Sequence, residues 1–342
     1  MSRYDGPQST GGYCSMQQRS CFFFAADQKF FPFACLAARR VLDVSAPVDG
    51  FILHTGMISA EDRVAGERLL DGRIGIIDVT KFMEATNFNR GTHPTLATYI
   101  RLFADQLPEF EPYDRIAYSD ADVLFNRSIA DLGNTPLNAP LLAAHDEQSY
   151  FDAKYRQHLP MQPGAPKFNA GVLLFNMPLL RAEGLLERTR QLASEHVYGM
   201  DQGALNVAFE GRWQTMHPFW NVMTNYSSQI PFSRCYARHF AWGKPWEPRP
   251  VGVEVDAMAV YRDLAKGTPW AGRFSRSWPV KRGLMKNFGR KFDAISGILL
   301  NDEKRKRRAR FDAEKVSAIF ADHADKSMLA VQYPERVTGI AR

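Results

Sequence analysis

Two strand-like runs in this chain lead into aspartates that stand out. Cys21-Phe22-Phe23-Phe24-Ala25-Ala26 runs into Asp27, and Arg115-Ile116-Ala117-Tyr118-Ser119 runs into Asp120-Ala121-Asp122. A short unbroken apolar run marks a strand covered on both faces, so the acid at its end stands where the strand emerges. Phe51-Ile52-Leu53-His54, Ile74-Gly75-Ile76-Ile77-Asp78-Val79, Leu141-Leu142-Ala143-Ala144 and Gly171-Val172-Leu173-Leu174-Phe175 repeat the strand pattern. Helical spacing of apolar residues is expected over 33–42, 95–107, 179–196 and about 201–209. Strands alternating with helices predict an α/β sheet with helices on both faces. In such sheets the ligand lies beyond the carboxyl ends of the strands, which is where Asp27 and Asp120 fall.

Composition sets the frame. A chain of 342 residues, 45% hydrophobic and 23% charged, is long enough for one large domain or two and excludes wholesale disorder. Cys14, Cys21, Cys35 and Cys235 form no C-x-x-C pair, so neither a zinc site nor a disulfide framework is expected. Residues 1–19 are polar and read as a disordered lead rather than a signal peptide. With no apolar run long enough to span a bilayer, a cytoplasmic protein is expected.

The charge is uneven. Residues 281–310 hold eleven Lys/Arg against three acids, while the whole chain carries only +6, so the main body is near neutral. Phe274, Trp278, Leu284, Met285, Phe288, Phe292, Ile298, Leu299 and Leu300 lie in or beside that segment. Cations interleaved with bulky apolar groups suit an anionic membrane surface, and a solvated basic tail is the plain alternative. No nucleic-acid module accompanies Lys304–Arg310, so nucleic acid is not an expected partner.

Asp120 and Asp122, one residue apart beyond a strand, can turn toward one hard divalent cation, although a turn-capping pair has the same spacing. His239 in Arg238-His239-Phe240-Ala241-Trp242-Gly243-Lys244-Pro245-Trp246 can complete a carboxylate/imidazole set suited to Mn²⁺ or Mg²⁺. Lys244 offers a point charge for phosphate.

Together these pieces resemble glycosyltransferase family 8, the retaining group that includes glycogenin and bacterial lipooligosaccharide galactosyltransferases. The matching pieces, in order, are Phe24-Ala25-Ala26-Asp27, Thr98-Tyr99-Ile100-Arg101-Leu102, Tyr118-Ser119-Asp120-Ala121-Asp122, Phe168-Asn169-Ala170-Gly171-Val172, and Asp201-Gln202 with Leu205-Asn206. The His239…Lys244-Pro245-Trp246 box is a sixth, imperfect match, and the resemblance spans about residues 20–250.

The resemblance implies a GT-A fold: a Rossmann-like, nucleotide-sugar-binding mixed sheet over 20–265, followed by a basic, aromatic-rich helical extension over 266–342. It implies transfer of a hexose, galactose or glucose, from a UDP-sugar to a saccharide acceptor such as lipopolysaccharide or another lipid-linked glycan. By the same resemblance Asp27 accepts from uracil and Ala25 lines the base pocket. Asp120, Asp122 and His239 ligate Mn²⁺ (or Mg²⁺), with Ala121 between the two acids. Lys244 and Gly243 hold the diphosphate. Arg101, Asp146, Asn169, Ala170, Asp201 and Gln202 contact the donor sugar, with Arg101, Asp201 and Gln202 closest to the chemistry.

Two departures stand out. His239 and Lys244 are one residue closer than in the usual H-x-x-G-x-x-K-P-W box, with Trp242 at the glycine position, and Lys29 stands where a small polar residue is common. Two rivals follow from the same residues. One is a membrane- or polyanion-binding protein with a non-catalytic nucleotide-sugar fold. The other is a nucleotidyl- or phosphotransferase, which lacks its G-x-x-x-x-G-K-[ST] loop here.

Overall fold

The computed structural model describes residues 18–278 except 86–95, 147–158, 196–199, 225–229, 242 and 251, together with residues 295, 299 and 300. The expected lead up to residue 17, Trp242, and nearly all of the extension beyond 278 lie outside the described residues.

The first half of the domain is parallel. β1 (Ser20–Asp27) pairs on one side with β2 (Asp49–Thr55), which pairs with β3 (Ile74–Asp78), and on the other side with β4 (Arg115–Asp120). β4 leads through a turn to β5 (Val123–Phe125), and β6 (Leu141–His145), β7 (Phe168–Asn176) and β8 (Trp213–Thr215) complete the main sheet. β7 runs antiparallel to both β4 and β6, giving a seven-stranded mixed sheet in the order β3-β2-β1-β4-β7-β6-β8. A three-stranded sheet sets β10 (Ala237–His239) between β5 and β9 (Val222–Met223).

Burial on two faces explains the apolar runs. Phe22, Phe24 and Ala26 of β1 enter one core while Cys21, Phe23 and Ala25 enter the other. The first core is covered by α1 (Phe31–Val44), and its neighbour α2 (Ala60–Leu69) starts on Ser59, whose hydroxyl accepts from Asp62 N–H at 3.1 Å. Short helices α3 (Thr80–Glu84) and α4 (Ile129–Gly133) follow β3 and β5. The second core is covered by a 3₁₀ segment, Ala97–Phe103, with α5 (Met177–Glu183), α6 (Leu185–Glu195) and α7 (Met200–Ala208). The mixed sheet with helices on both faces is therefore as expected. The single helix expected over 179–196 is two, because Gly184 adopts φ 61°, a left-handed cap that an L side chain resists.

The domain core continues past residue 265. α8 (Val255–Ala265) is followed by α9 (Ala271–Ser275); Phe274 is fully buried and stacks on Tyr261 at 5.3 Å, and the Trp270 indole donates to Asp62 Oδ1 at 2.6 Å. The first residues of the basic extension are thus built into the sheet's own core. Cys21, Cys35 and Cys235 are free thiols in the interior, and burial raises all three, Cys235 to about 12. No helix among the described residues is long and apolar enough to cross a membrane.

Candidate active site

Strand register assembles the site. Ala25 of β1 lies opposite Asp120 of β4, so Asp27 and the Asp120-Ala121-Asp122 turn share one edge of the sheet. β4 pairs antiparallel with β7, Ser119 opposite Val172, which brings Asn169-Ala170-Gly171 to the same edge. His239 lies opposite Val123, and Phe240 N–H donates to the Asp122 carbonyl at 2.9 Å, which sets the imidazole beside Asp122.

The ligand groups converge. His239 Nε2 stands 3.4 Å from Asp122 Oδ1 and 3.7 Å from Asp120 Oδ2, and the three residues offer ligand atoms within 4.8 Å of one another. Asp122 and His239 are buried and Asp120 is partly open. Lys244 pairs with the second oxygen of Asp122, so the shortened box still brings both of its functional groups to one carboxylate. Burial alone would raise the Asp122 carboxyl, but Lys244 and His239 reverse this and hold it well below the usual carboxylate range. Two carboxylates and an imidazole, one position open to solvent, fit a borderline-hard divalent cation such as Mn²⁺.

Gly171 makes room for the imidazole. A Cβ there would lie 2.2 Å from His239 Cε1, so any larger residue would displace the ring. This, rather than a special backbone angle, is the reason for glycine in the Asn-Ala-Gly segment.

A break in the sheet exposes the polar backbone of that segment. Ala143 of β6 faces Leu173, but Ala144 faces Asn169, so the β6–β7 register shifts across 170–172. The freed groups take side chains instead. Ala170 N–H donates to Gln202 Oε1 at 2.9 Å, Gly171 N–H donates to Asn169 Oδ1 at 2.9 Å, and the Ala170 carbonyl accepts from Arg101. Asn206 clamps α7 to the strand by accepting from Phe168 N–H at 2.8 Å and donating to Phe168 O at 2.9 Å. Gln202 Nε2 reaches Asp146 Oδ2 at 2.8 Å.

Arg101 is buried behind the acids. Its Nε lies 2.7 Å from Asp201 Oδ2 and its Nη1 3.3 Å from Asp120 Oδ1, with the guanidinium 4.4 Å over the Tyr118 ring. The Tyr118 hydroxyl donates to Asp120 Oδ1 at 2.5 Å, which fixes that carboxylate from the side. Asp201 lies in the first turn of α7, and burial raises its carboxyl even though Arg101 opposes the shift.

The remaining expected residues are less engaged. Asp27 spends Oδ1 on Phe30 N–H at 2.9 Å, at the start of α1. Ala25, Ala121 and Gly243 are buried small residues at the same edge or in the Lys244 loop. Lys29 is exposed, its ammonium 5.8 Å from the Phe30 ring. One polar residue of the site carried no sequence signal: Asn221, which donates to Asn169 Oδ1 at 2.9 Å and meets His239 Nδ1 at 2.9 Å. The pairing of β9 with β10, directly after it in the chain, helps to set it there.

Known proteins resemble the chain in sequence and in fold. The sequence profile of the family described as "Glycosyl transferase family 8" matches residues 21–248. The glycosyltransferase GlyF of Streptococcus pneumoniae is 23% identical over 263 residues, covering 72% of this chain and 62% of GlyF. GlyB of the same organism is 34% identical over 136 residues, covering 39% of this chain and 30% of its own length. The chain thus spans less than two thirds of the length of each of these relatives. The crystal structure of the galactosyltransferase LgtC, in complex with donor and acceptor sugar analogs, superposes with a TM-score of 0.58 at 26% identity, covering 74% of this chain and 99% of LgtC. The bifunctional glycosyltransferase WbbM shares the fold at a TM-score of 0.62 and 18% identity, over 77% of this chain and 52% of its own.

Proposed function

This chain belongs to glycosyltransferase family 8, and from that premise we propose that it transfers a hexose from a UDP-sugar to a saccharide acceptor with retention of anomeric configuration. The observation that carries the reading is the convergence of Asp120, Asp122 and His239 on one point at the carboxyl edge of the sheet. A divalent cation bound there would offset the charge that gathers on the departing diphosphate. Lys244, already against Asp122, adds a point positive charge on the same side. Asp27 and Ala25 line the uracil end, and Arg101, Asp146, Asn169, Ala170, Asp201 and Gln202 form the sugar end.

The amide of Gln202 bears on how the bond is made. Its Oε1 accepts from Ala170 N–H and from Asn169 Nδ2, the latter at 3.4 Å, and its Nε2 is held on Asp146. A carbonyl oxygen occupied by two donors has little electron density to offer an anomeric carbon. Attack by the acceptor hydroxyl on the leaving-group face, with a UDP phosphate oxygen taking its proton, is the reading this geometry favours over a covalent glycosyl-enzyme. The rival reading, a non-catalytic fold, would leave the convergence of these ten polar residues at one edge without a purpose.

Release of UDP from UDP-galactose and UDP-glucose, with and without Mn²⁺, tests the reading. Turnover is expected with Mn²⁺, lost in EDTA and regained on adding Mn²⁺ back, with one epimer preferred. Equal turnover in EDTA, or none with any UDP-hexose, would count against it.

The acceptor follows from charge. A near-neutral body joined to a strongly basic, apolar-studded segment at 281–310 supports a peripheral position at the inner face of the plasma membrane, with a lipid-linked saccharide as acceptor. Because Trp270 and Phe274 are core residues, the segment must be removed after Trp278. The full chain is expected to co-sediment with phosphatidylglycerol vesicles and not with phosphatidylcholine ones, while a chain ending at Trp278 stays in solution and still releases UDP slowly. Undiminished vesicle binding by the shortened chain would refute the tail's role.

A further inference from the structure

Backbone N–H groups can only donate, and two of them decide the direction of a line of side-chain amides behind the candidate metal ligands. Gly171 N–H donates to Asn169 Oδ1, so Asn169 turns its oxygen toward Gly171 and its amino group toward Gln202 Oε1. Ala170 N–H donates to that same Gln202 Oε1, which settles the second amide, and Gln202 Nε2 then points to Asp146. Asn221 meets Asn169 Oδ1 and must do so with its amino group, at 2.9 Å. The oxygen of Asn221 is thereby turned to His239 Nδ1, also at 2.9 Å. An oxygen there demands a proton on Nδ1.

We propose that Asn221 is a positioning residue that holds His239 as the Nδ1–H tautomer and so makes Nε2 the metal-ligating atom, with the polarity imposed by the Gly171 backbone through Asn169. The inference rests on the metal reading above and extends it. The neutral imidazole of free histidine favours its proton on Nε2, so a site that needs a lone pair on Nε2 must select against that preference. Asn221 does this from a buried position, 6% exposed, against an imidazole 4% exposed, and packing around Gly171 prevents the ring from turning away. The lone pair it leaves on Nε2 faces Asp122 Oδ1 at 3.4 Å and Asp120 Oδ2 at 3.7 Å. A partner on the far nitrogen of a ligating histidine both orients the ring and raises its basicity. The same line of bonds runs from His239 through Asn221, Asn169 and Gln202 to Asp146, so the ligand end and the sugar end of the site are held by one network.

Long-range ¹H–¹⁵N NMR of the metal-free full chain labelled in histidine, at a pH high enough that the ring carries a single proton, with the His239 signals assigned by their loss in His239→Gln, reads the tautomer directly. Nδ1–H is expected. Mn²⁺ titration followed by electron paramagnetic resonance then reads the consequence. Asn221→Leu, of similar volume but with no acceptor, is expected to weaken Mn²⁺ binding by about 10–100-fold. Asn221→Asp keeps an acceptor for Nδ1 while giving up the donor to Asn169 Oδ1, and is expected to lose clearly less Mn²⁺ affinity than the Leu variant. An Nε2–H imidazole in wild-type protein that binds Mn²⁺ would overturn this inference and leave the metal reading standing. So would an Asn221→Leu that binds Mn²⁺ normally, or Leu and Asp variants that lose affinity equally. A wild-type chain that binds no Mn²⁺ would overturn the metal reading itself. The wild-type tautomer needs no variant at position 221, so misfolding of Asn221→Leu would not protect the proposal.

Discussion

Asp122→Asn is expected to lower kcat/KM for UDP-hexose turnover by about a thousandfold or more while leaving the fold intact, since the several kcal/mol of charge stabilisation supplied by a bound metal correspond to that range at about 1.4 kcal/mol per tenfold. The substitution changes one atom and no volume. It removes the anion that His239 Nε2 and Lys244 both face, one on each oxygen. The amide left behind would offer a neutral carbonyl where a hard cation requires charge, and its amino group would repel the cation outright. Stability should fall, because folding holds the Asp122 carboxyl well below its usual range, although Lys244 is partly open to solvent and can be hydrated once its partner is gone. Mn²⁺-dependent UDP release and the thermal midpoint, measured on the same preparation, check both halves. Activity within tenfold of wild type would remove Asp122 from the ligand set.

What could be read from sequence was whatever one strand or one short box carries. β1 and β4 were legible because burial on both faces demands a mostly apolar run, and the acid at the end of each had to fall at the sheet edge. The His239 box was legible despite its shortened spacing, since the two groups reach opposite oxygens of one carboxylate rather than a common point. The helix expected over 95–107 is a 3₁₀ segment over Ala97–Phe103 for a reason that is tertiary. Arg101 is drawn toward Asp201 and Asp120 with its Nε also on the Thr98 carbonyl at 3.0 Å, and Arg190 takes the Leu102 carbonyl at 2.6 Å, so carbonyls of this segment serve side chains. Asn221 was illegible because its partners lie 18 and 52 residues away, across strand pairings that no local pattern encodes. Tyr118 was quoted as part of a motif, yet its work, holding Asp120 and lying under Arg101, depends on a side chain from the 3₁₀ segment as well as one from its own strand.

Arg101→Met should be the most damaging single change to stability, costing about 3–5 kcal/mol, the usual result of stripping one partner from a buried ion pair. Arg101 is 4% exposed and Asp201 1%, so the carboxylate left behind cannot reach water. Burial already raises the Asp201 carboxyl with the guanidinium 2.7 Å away, and without it the acid is pushed higher still. For a domain of this size the loss should lower the thermal midpoint by roughly 10 °C. The pH dependence has a definite sign. With its folded pKa above its unfolded one, Asp201 binds a proton in the folded state that the unfolded state lacks, so the variant gains stability as pH falls from neutrality toward the unfolded value near about 4. Adding Asp201→Asn removes the stranded charge and should restore part of the midpoint at neutral pH, most of the coupling between the two sites appearing in that double mutant. Thermal melts of the single and double variants at pH 7 and pH 5 decide the matter. A deficit in Arg101→Met that is the same at both pH values, with no recovery in the double variant, would mean that the guanidinium matters as a bulky spacer over Tyr118 and not as the counter-charge of Asp201.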